Sequence, residues 1–282
     1  MNLQDLPEFP DLRTRVAMAL REDLAQRGDL TTAAIFPPGA SARARVIAKA
    51  PGVVAGMQAF ALVFEILGGV EVEPLTRDGA AVAPGGLVFQ LHGDLHALLA
   101  GERTALNLLQ RLSGVATLTA EFVRRTNGRL AICDTRKTTP LWRDLEKGAV
   151  LAGGGLNHRM GLHDMIMLKD THADGAGGLE GALGRVAAAN AGVRVAAEAR
   201  TLDEVRIALA AGVDLIMLDN MPAALLREAV VLIAGQCPTE ITGGITLETA
   251  AAAADLGVDR VSIGALTHSA AALDFSLQLT VE

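Results

Sequence analysis

A chain of 282 residues with a formal net charge of −7, half of it hydrophobic and a fifth charged, has the size and composition of a globular protein with a substantial core. The acidic balance gives no general attraction to nucleic-acid or membrane phosphates, and with 3% aromatics and no tyrosine there is no stacking platform for single-stranded nucleic acid. No apolar run approaches a membrane span, the start (MNLQDLPEFPDLRTR) lacks a signal peptide's apolar region, and Cys133 and Cys237 read as reduced core thiols in separate strands. Together these features predict a cytoplasmic protein.

The first part of the chain reads as α+β. "LREDLAQRGDLTT" (20–32) predicts a helix followed by a turn at Gly28, and "ARARVIAKAPGVVAG" (42–56) two short strands around Pro51-Gly52. "AFALVFEILGG" (59–69) predicts a helix stopped by Gly68-Gly69, and 71–102 has strand–turn character with turns at Asp78-Gly79 and Pro84-Gly85. Residues 97–112 are amphipathic, with Leu98, Ala105, Leu108, Leu109 and Leu112 along one face. This predicts an N-terminal α+β sandwich domain over 1–112, helices around 100–127 leading out of it, and a last stretch, within 270–282, that packs back on it.

Past residue 128 apolar runs recur at 130–135, 163–169, 193–199, 213–219, 238–242 and 258–264. Helical patterns lie between them, among them "LEGALGRVAAANAG" (179–192), "TLDEVRIALAAG" (201–212) and "TLETAAAAADLG" (246–257), each stopped by glycine. Strands alternating with helices mean βα units and a parallel sheet. Six units in one run predict a C-terminal α/β barrel of parallel strands over 113–269, complete or incomplete, with an open doubly wound sheet as the alternative.

In a parallel barrel, chemistry collects at the C-terminal ends of the strands. The first strand ends in Arg136 and Lys137, the second in Lys169, the third in Glu198, and the fourth in Asp219 and Asn220. The fifth ends in Thr242-Gly243-Gly244 and the sixth in Gly264. The charged termini fall on one side, which scattered solvated charges would not do. The loop "GGGLNHR" adds His158 and Arg159 just before the second strand. Arg136, Lys137, His158, Arg159 and Lys169 thus form a candidate anion pocket, arginine forks suiting carboxylates and lysine acting as a compact countercharge. Each could instead pair with a neighbouring acid such as Asp134, Asp164 or Asp170. Glu198 and Asp219 on adjacent strands suggest a magnesium site if phosphates are present. "TGGI" and "IGALTHS" place glycine amides where phosphates bind. His92, His96, His163 and His172 show no metal-site spacing and read as surface or packing residues; His268 stays ambiguous. No Ser-His-Asp order, nucleophile elbow or Walker loop is present. The pattern asks for a substrate with several anionic groups plus a metal.

The motifs "EDLAQRGDLTT", "GERTALNLLQRLSGVAT", "DTRKTTP", "LEKGAVLAGGGLNHRMGLHDMIMLKD", "VDLIMLDN" and "VDRVSIGALTHSAAALDFSL" resemble those of the quinolinate phosphoribosyltransferase family over nearly the whole length. The resemblance implies transfer of phosphoribosyl from phosphoribosyl pyrophosphate to the ring nitrogen of quinolinate. Pyrophosphate and carbon dioxide are lost, leaving nicotinate mononucleotide for NAD synthesis. By similarity, Arg136, Arg159, Lys169 and His158 hold the quinolinate carboxylates, and Lys137, with Thr135 beside it, meets the phosphoribosyl pyrophosphate. Glu198 and Asp219 serve its ribose and Mg²⁺ and, with Lys137, form the catalytic set. Thr242, Gly243 and Gly244, with Gly264, Ala265 and Leu266, cradle the 5′-phosphate. Arg103 reaches into the partner subunit's site of a homodimer, with assembly beyond the dimer left open.

Three positions depart from the family pattern: Thr171 replaces an asparagine, Ala196 stands where a second acid is usual, and Thr242 replaces a serine. Other readings stay open. A related group associated with molybdate uptake shares the fold but lacks the lysine that Lys169 supplies here. A Schiff-base lyase would use Lys169 or Lys137 as nucleophile, and a non-catalytic anion sensor would not need both Glu198 and Asp219.

Overall fold

Asp11 opens the first helix of the computed structural model, which describes residues 9–189 and 192–282. Its carboxylate accepts the Thr14 amide at 2.7 Å and caps α1 (Leu12–Leu24). The helix therefore starts earlier than the sequence pattern suggests. After Gly28 the chain returns to helix, because Asp29 takes the amides of Thr31 and Thr32 and opens α2 (Leu30–Ile35).

In β1 (Ser41–Ala48) Ala42, Ala44, Val46 and Ala48 are buried while Arg43 and Arg45 face outward, the alternation of a half-buried strand. Then follow β2 (Gly52–Val53), α3 (Met57–Leu67), β3 (Val70–Pro74), β4 (Ala81–Val82), β5 (Leu87–Asp94) and α4 (Leu95–Arg125). The last is a single helix of 31 residues where the sequence suggests several. Phe60 and Phe64 of α3 and Phe89 of β5 are fully buried, with Phe60 and Phe89 stacked at 4.2 Å between centroids. Each such side chain contributes about 1.5–3 kcal/mol by leaving water.

The β/α series that follows consists of β6 (Ala131–Cys133), α5 (Arg143–Ala152), β7 (Ile166–Leu168), α6 (Asp170–Ala176), α7 (Leu179–Ala189), β8 (Val195–Ala199) and α8 (Leu202–Ala210). It continues with β9 (Leu215–Asp219), α9 (Ala223–Ile233), β10 (Thr239–Thr242), α10 (Leu247–Ala253), β11 (Arg260–Ser262) and α11 (Ala265–His268). The helix expected over 179–192 is described to Ala189; residues 190 and 191 lie outside the described residues. The strands form one parallel sheet in the order β6-β11-β10-β9-β8-β7. Consecutive strands are neighbours and the first pairs with the last, so the sheet curls round as a barrel rather than winding outward from its middle as a doubly wound sheet does. Between β6 and β7 no ladder is formed among the described residues; a single bridge from Cys133 to Leu156 occupies that edge. The barrel is incomplete. Cys133 and Cys237 are both buried and unlinked, and burial raises the pKa of the Cys237 thiol.

The final strand, β12 (Phe275–Val281), lies antiparallel to β1 in a sheet ordered β12-β1-β5-β3. Two units result. One runs through Leu118 and includes Pro140–Gly153 and Ala270–Glu282; the other comprises Thr119–Thr139 and Gly154–Ser269. This division differs from the boundary expected at 112/113 by taking α5 into the first unit. Both packing and charge tie this segment to the first unit, with Trp142 against its apolar core. Arg15 grips Asp144 with two hydrogen bonds of 2.8 and 2.6 Å, and Arg111 meets the buried Glu146 at 2.9 Å.

Candidate active site

Strand register sets the level at which each polar side chain enters the barrel mouth. Leu168 pairs with Ala197, so the next residues, Lys169 and Glu198, fall side by side, and their side chains meet at 2.6 Å. Glu198 is level with Met217, which puts Asp219 on the same face two residues further on, and Asp219 is level with Thr242. At about 3.3 Å per residue, Asp219 stands about 6–7 Å nearer the rim than Glu198. Glu198 is accordingly the deep acid, with a nearly buried side chain, and Asp219 the outer one.

These ends line a pocket of about 750 Å³ together with Asp134, Thr135, Arg136, Lys137, His158, Arg159, Gly243, Gly244, Gly264 and Ala265. Asp134 is fully buried just past β6 and accepts the His158 amide at 2.9 Å, which joins the first strand end to the loop before β7. The Lys137 carbonyl accepts the Thr267 hydroxyl at 2.7 Å, and the Lys137 amide donates to Thr135 Oγ1 at 3.1 Å. A Cβ at Gly264 would lie 2.8 Å from Lys137 Cδ, so a bare backbone there is what lets the lysine side chain pass.

The cations gather on the side of β6 and β7. Burial lowers the pKa of Arg159, the positive charge of Arg136 adds to this, and Asp164 and Glu198 work against it. Two arginines held near each other in a partly buried site suit a dianion. Arg159 Nη1 also donates to the Met165 carbonyl at 3.1 Å. Of the acids suggested as bland partners, Asp164 takes the amides of Met160 and Gly161, which hold its pKa down against desolvation, and Asp170 takes the Thr171 amide at 2.7 Å. Lys169 pairs instead with Glu198, across two strands.

On the opposite side, Asn220 holds φ +50° and donates from Nδ2 to Asp219 Oδ1 at 3.2 Å, while its amide donates to the Thr242 carbonyl at 3.3 Å. Gly243 and Gly244 turn above it at φ +96° and +56°.

Not every expected residue lies in the pocket. Leu266 is fully buried and does not line it. Arg103 is exposed on α4 in the first unit. Among the described residues there is no group of three or more His, Cys, Asp or Glu placed to hold a metal. Ala196 lies in an apolar cluster with Met165, Leu215 and Met217. His172 accepts the Lys169 amide at 3.0 Å and starts α6.

Some lining residues were given no role from sequence: Met167, Met217, Ser262 and Thr246 were not named, Asn220 was named only as a strand end, and His268 was left ambiguous. Met167, Met217 and Ser262 each stand two residues before Lys169, Asp219 and Gly264, so strand alternation was a usable signal. For His268 the signal was only its place after the sixth strand.

Two family models match the chain: the quinolinate phosphoribosyl transferase N-terminal domain over residues 29–113 and the C-terminal domain over 115–278. The chain belongs to the quinolinate phosphoribosyltransferase family. Among its relatives, the probable carboxylating nicotinate-nucleotide pyrophosphorylase of Bacillus subtilis is 44% identical over 90% of this chain and 89% of its own length. The chloroplastic carboxylating enzyme of Arabidopsis thaliana is 40% identical over 98% of this chain and 85% of its own. The crystal structure of NadC from Streptococcus pyogenes superposes with a TM-score of 0.93 at 41% identity, covering 99% of both chains. The nicotinate-nucleotide pyrophosphorylase of Francisella tularensis gives 0.92 at 34% identity, again over 99% of both.

Proposed function

We propose that this protein transfers phosphoribosyl from phosphoribosyl pyrophosphate to quinolinate and releases pyrophosphate, carbon dioxide and nicotinate mononucleotide, a step of NAD biosynthesis. The observation that carries the proposal is the single barrel mouth in which Arg136, Arg159 and Lys169 face Glu198, Asp219 and the Thr242–Gly244 turn.

The two arginines and Lys169 bind the adjacent carboxylates of quinolinate, with His158 beside them, and so aim the ring nitrogen at the anomeric carbon. Lys137 and Thr135 meet the phosphoribosyl pyrophosphate. Thr242, Gly243, Gly244, Gly264 and Ala265 take its 5′-phosphate. As the bond to pyrophosphate breaks, positive charge grows on the ribose, and Glu198 and Asp219 stabilise it. The ring nitrogen, now bonded to ribose, is cationic. When the 2-carboxylate departs as carbon dioxide, the electron pair of the broken bond stays on the ring carbon, where the adjacent cationic nitrogen stabilises it, and that carbon then takes a proton. No covalent enzyme intermediate is needed; positioning and charge suffice.

The donor set fits Mg²⁺: Glu198 and Asp219 offer hard oxygens from adjacent strands, in a pocket with room for waters and phosphate oxygens. Mg²⁺, when bound, supplies positive charge against the pyrophosphate. Because Lys169 holds Glu198 Oε1, Asp219 is the more available ligand. A cytoplasmic homodimer completes the proposal, with the exposed Arg103 entering the partner's site. No helix among the described residues is long and apolar enough to cross a membrane.

The test is turnover of quinolinate and phosphoribosyl pyrophosphate with Mg²⁺, following nicotinate mononucleotide. Product formation that stops on chelation is expected. No product from folded protein refutes the proposal, and equal use of nicotinate moves it to non-carboxylating chemistry.

A further inference from the structure

Glu240 is fully buried in β10, inside the barrel and outside the set of groups proposed to meet substrate. A glutamate is almost never fully buried without partners that justify it. Its partners are three. Ser262 Oγ donates to Oε1, Arg260 Nε lies 3.1 Å from Oε2, and His158 Nε2 lies 3.4 Å from that same oxygen. Arg260 and Ser262 belong to the neighbouring strand β11; Ser262 satisfies Oε1, while Oε2 meets Arg260 and His158 at ion-pair distance without a hydrogen bond. Ser262 and His158 both line the pocket, but only His158 stands among the cations proposed to meet the quinolinate carboxylates.

The protonation of His158 follows from its bonds. Its Nδ1 accepts the Arg159 amide at 2.7 Å and therefore carries no proton. The ring proton then sits on Nε2, which lies 3.4 Å from the Glu240 carboxylate as a charge neighbour, with no hydrogen bond between them. Asp134 holds the His158 amide from the other side at 2.9 Å. The imidazole thus spans from a buried carboxylate to the backbone amide of Arg159, whose guanidinium is tied to the Met165 carbonyl at 3.1 Å. Carboxylates that hold histidines from behind act this way elsewhere: they choose the tautomer and fix the ring.

We propose that Glu240 is a positioning residue of the dicarboxylate subsite: it holds His158 in the Nε2–H tautomer and, through it, sets the backbone from which Arg159 projects. The proposal rests on the functional assignment above and adds to it a residue that touches no substrate. Its effect through His158 falls on the quinolinate arm of the pocket, since Arg159 is not among the groups assigned to phosphoribosyl pyrophosphate, and glutamine keeps the acceptor that holds Ser262.

Glu240→Gln keeps an acceptor for Ser262 and removes the negative charge that faces His158 and Arg260. The expected result is a quinolinate KM raised about tenfold, equivalent to about 1.4 kcal/mol, with the phosphoribosyl pyrophosphate KM within about twofold of wild type. Arg260→Gln removes the other charged partner and leaves the His158 contact; its quinolinate KM stays near wild type. A Glu240→Gln enzyme with an unchanged quinolinate KM, or with both KM values raised in parallel and matched by Arg260→Gln, overturns the proposal. The second readout is ¹⁵N NMR of histidine-labelled wild-type protein without substrate, with the His158 signals assigned by their loss in His158→Asn. An Nε2–H pattern is expected, and a proton on Nδ1 overturns the proposal. That spectrum is read whether or not the protein turns over quinolinate, and whether or not the Glu240 variant folds.

Discussion

Gly243 and Gly244 are adjacent, both have positive φ, and both belong to the turn proposed to take the 5′-phosphate, yet alanine should affect them very differently. At Gly244, φ is +56°, inside the small left-handed well, and nothing lies within 4 Å of an added Cβ. Alanine there costs about 1–2 kcal/mol, the ordinary penalty of an L-residue in that conformation. At Gly243, φ is +96°, outside that well, and an added Cβ would fall 2.6 Å from Asn220 Cγ and against its Oδ1. Asn220 must then move. Its displacement adds about 1–3 kcal/mol for the overpacked contact and about 1 kcal/mol for the hydrogen bond to Asp219. The expected loss is about 3–6 kcal/mol for Gly243→Ala against about 1–2 for Gly244→Ala, read by urea unfolding of both variants. Kinetics give a second comparison. Gly243→Ala releases Asp219 and raises the phosphoribosyl pyrophosphate KM more than Gly244→Ala does. Equal destabilisation by the two substitutions refutes the claim that Asn220 braces this turn.

Arg136→Ala raises the quinolinate KM far more than the phosphoribosyl pyrophosphate KM in steady-state assays; equal effects refute the division of the pocket into two arms. Lys169→Met leaves the nearly buried Glu198 carboxylate without its cation. It lowers unfolding free energy by about 1–3 kcal/mol and weakens quinolinate binding, whereas a variant as stable as wild type would show that the 2.6 Å pair contributes little. Asp144 titrates below its ordinary value of 3.8: burial opposes the shift, and the hydrogen bonds and charge of Arg15 outweigh it. The unfolded chain therefore takes up the Asp144 proton first as pH falls. The stabilisation is complete above about pH 3.8 and is lost as pH drops through the lower folded value. Denaturant titrations of Asp144→Asn should be flatter than wild type below pH 4, and parallel curves count against the Arg15–Asp144 link.

Much of the architecture was legible because its signals are local. Each barrel strand falls within one of the apolar runs, since a short β-branched run and a glycine-stopped amphipathic helix declare themselves within a dozen residues. The strand ends were legible for the same reason: in a parallel barrel one rule of direction sends every C-terminal end to one face, and Arg136, Lys137, Lys169, Glu198, Asp219 and the glycine turns follow it. Boundaries were less legible. Asp29 restarts a helix where glycine and threonine suggest a turn, and α5 carries no mark of belonging to the first unit.

What the sequence by itself determined was the βα order, the family and the chemical character of the mouth, because each is written in residue types at short spacing. What only the tertiary structure decided was which of those residues hold one another. Lys169 meets Glu198 rather than a nearby aspartate, Asn220 lies under Gly243, Leu266 turns into the core, and Glu240 reaches His158. These pairings join positions distant in the chain, brought level by strand register and by the curl of the sheet. Register is a property of two strands at once, so no single stretch of sequence contains it.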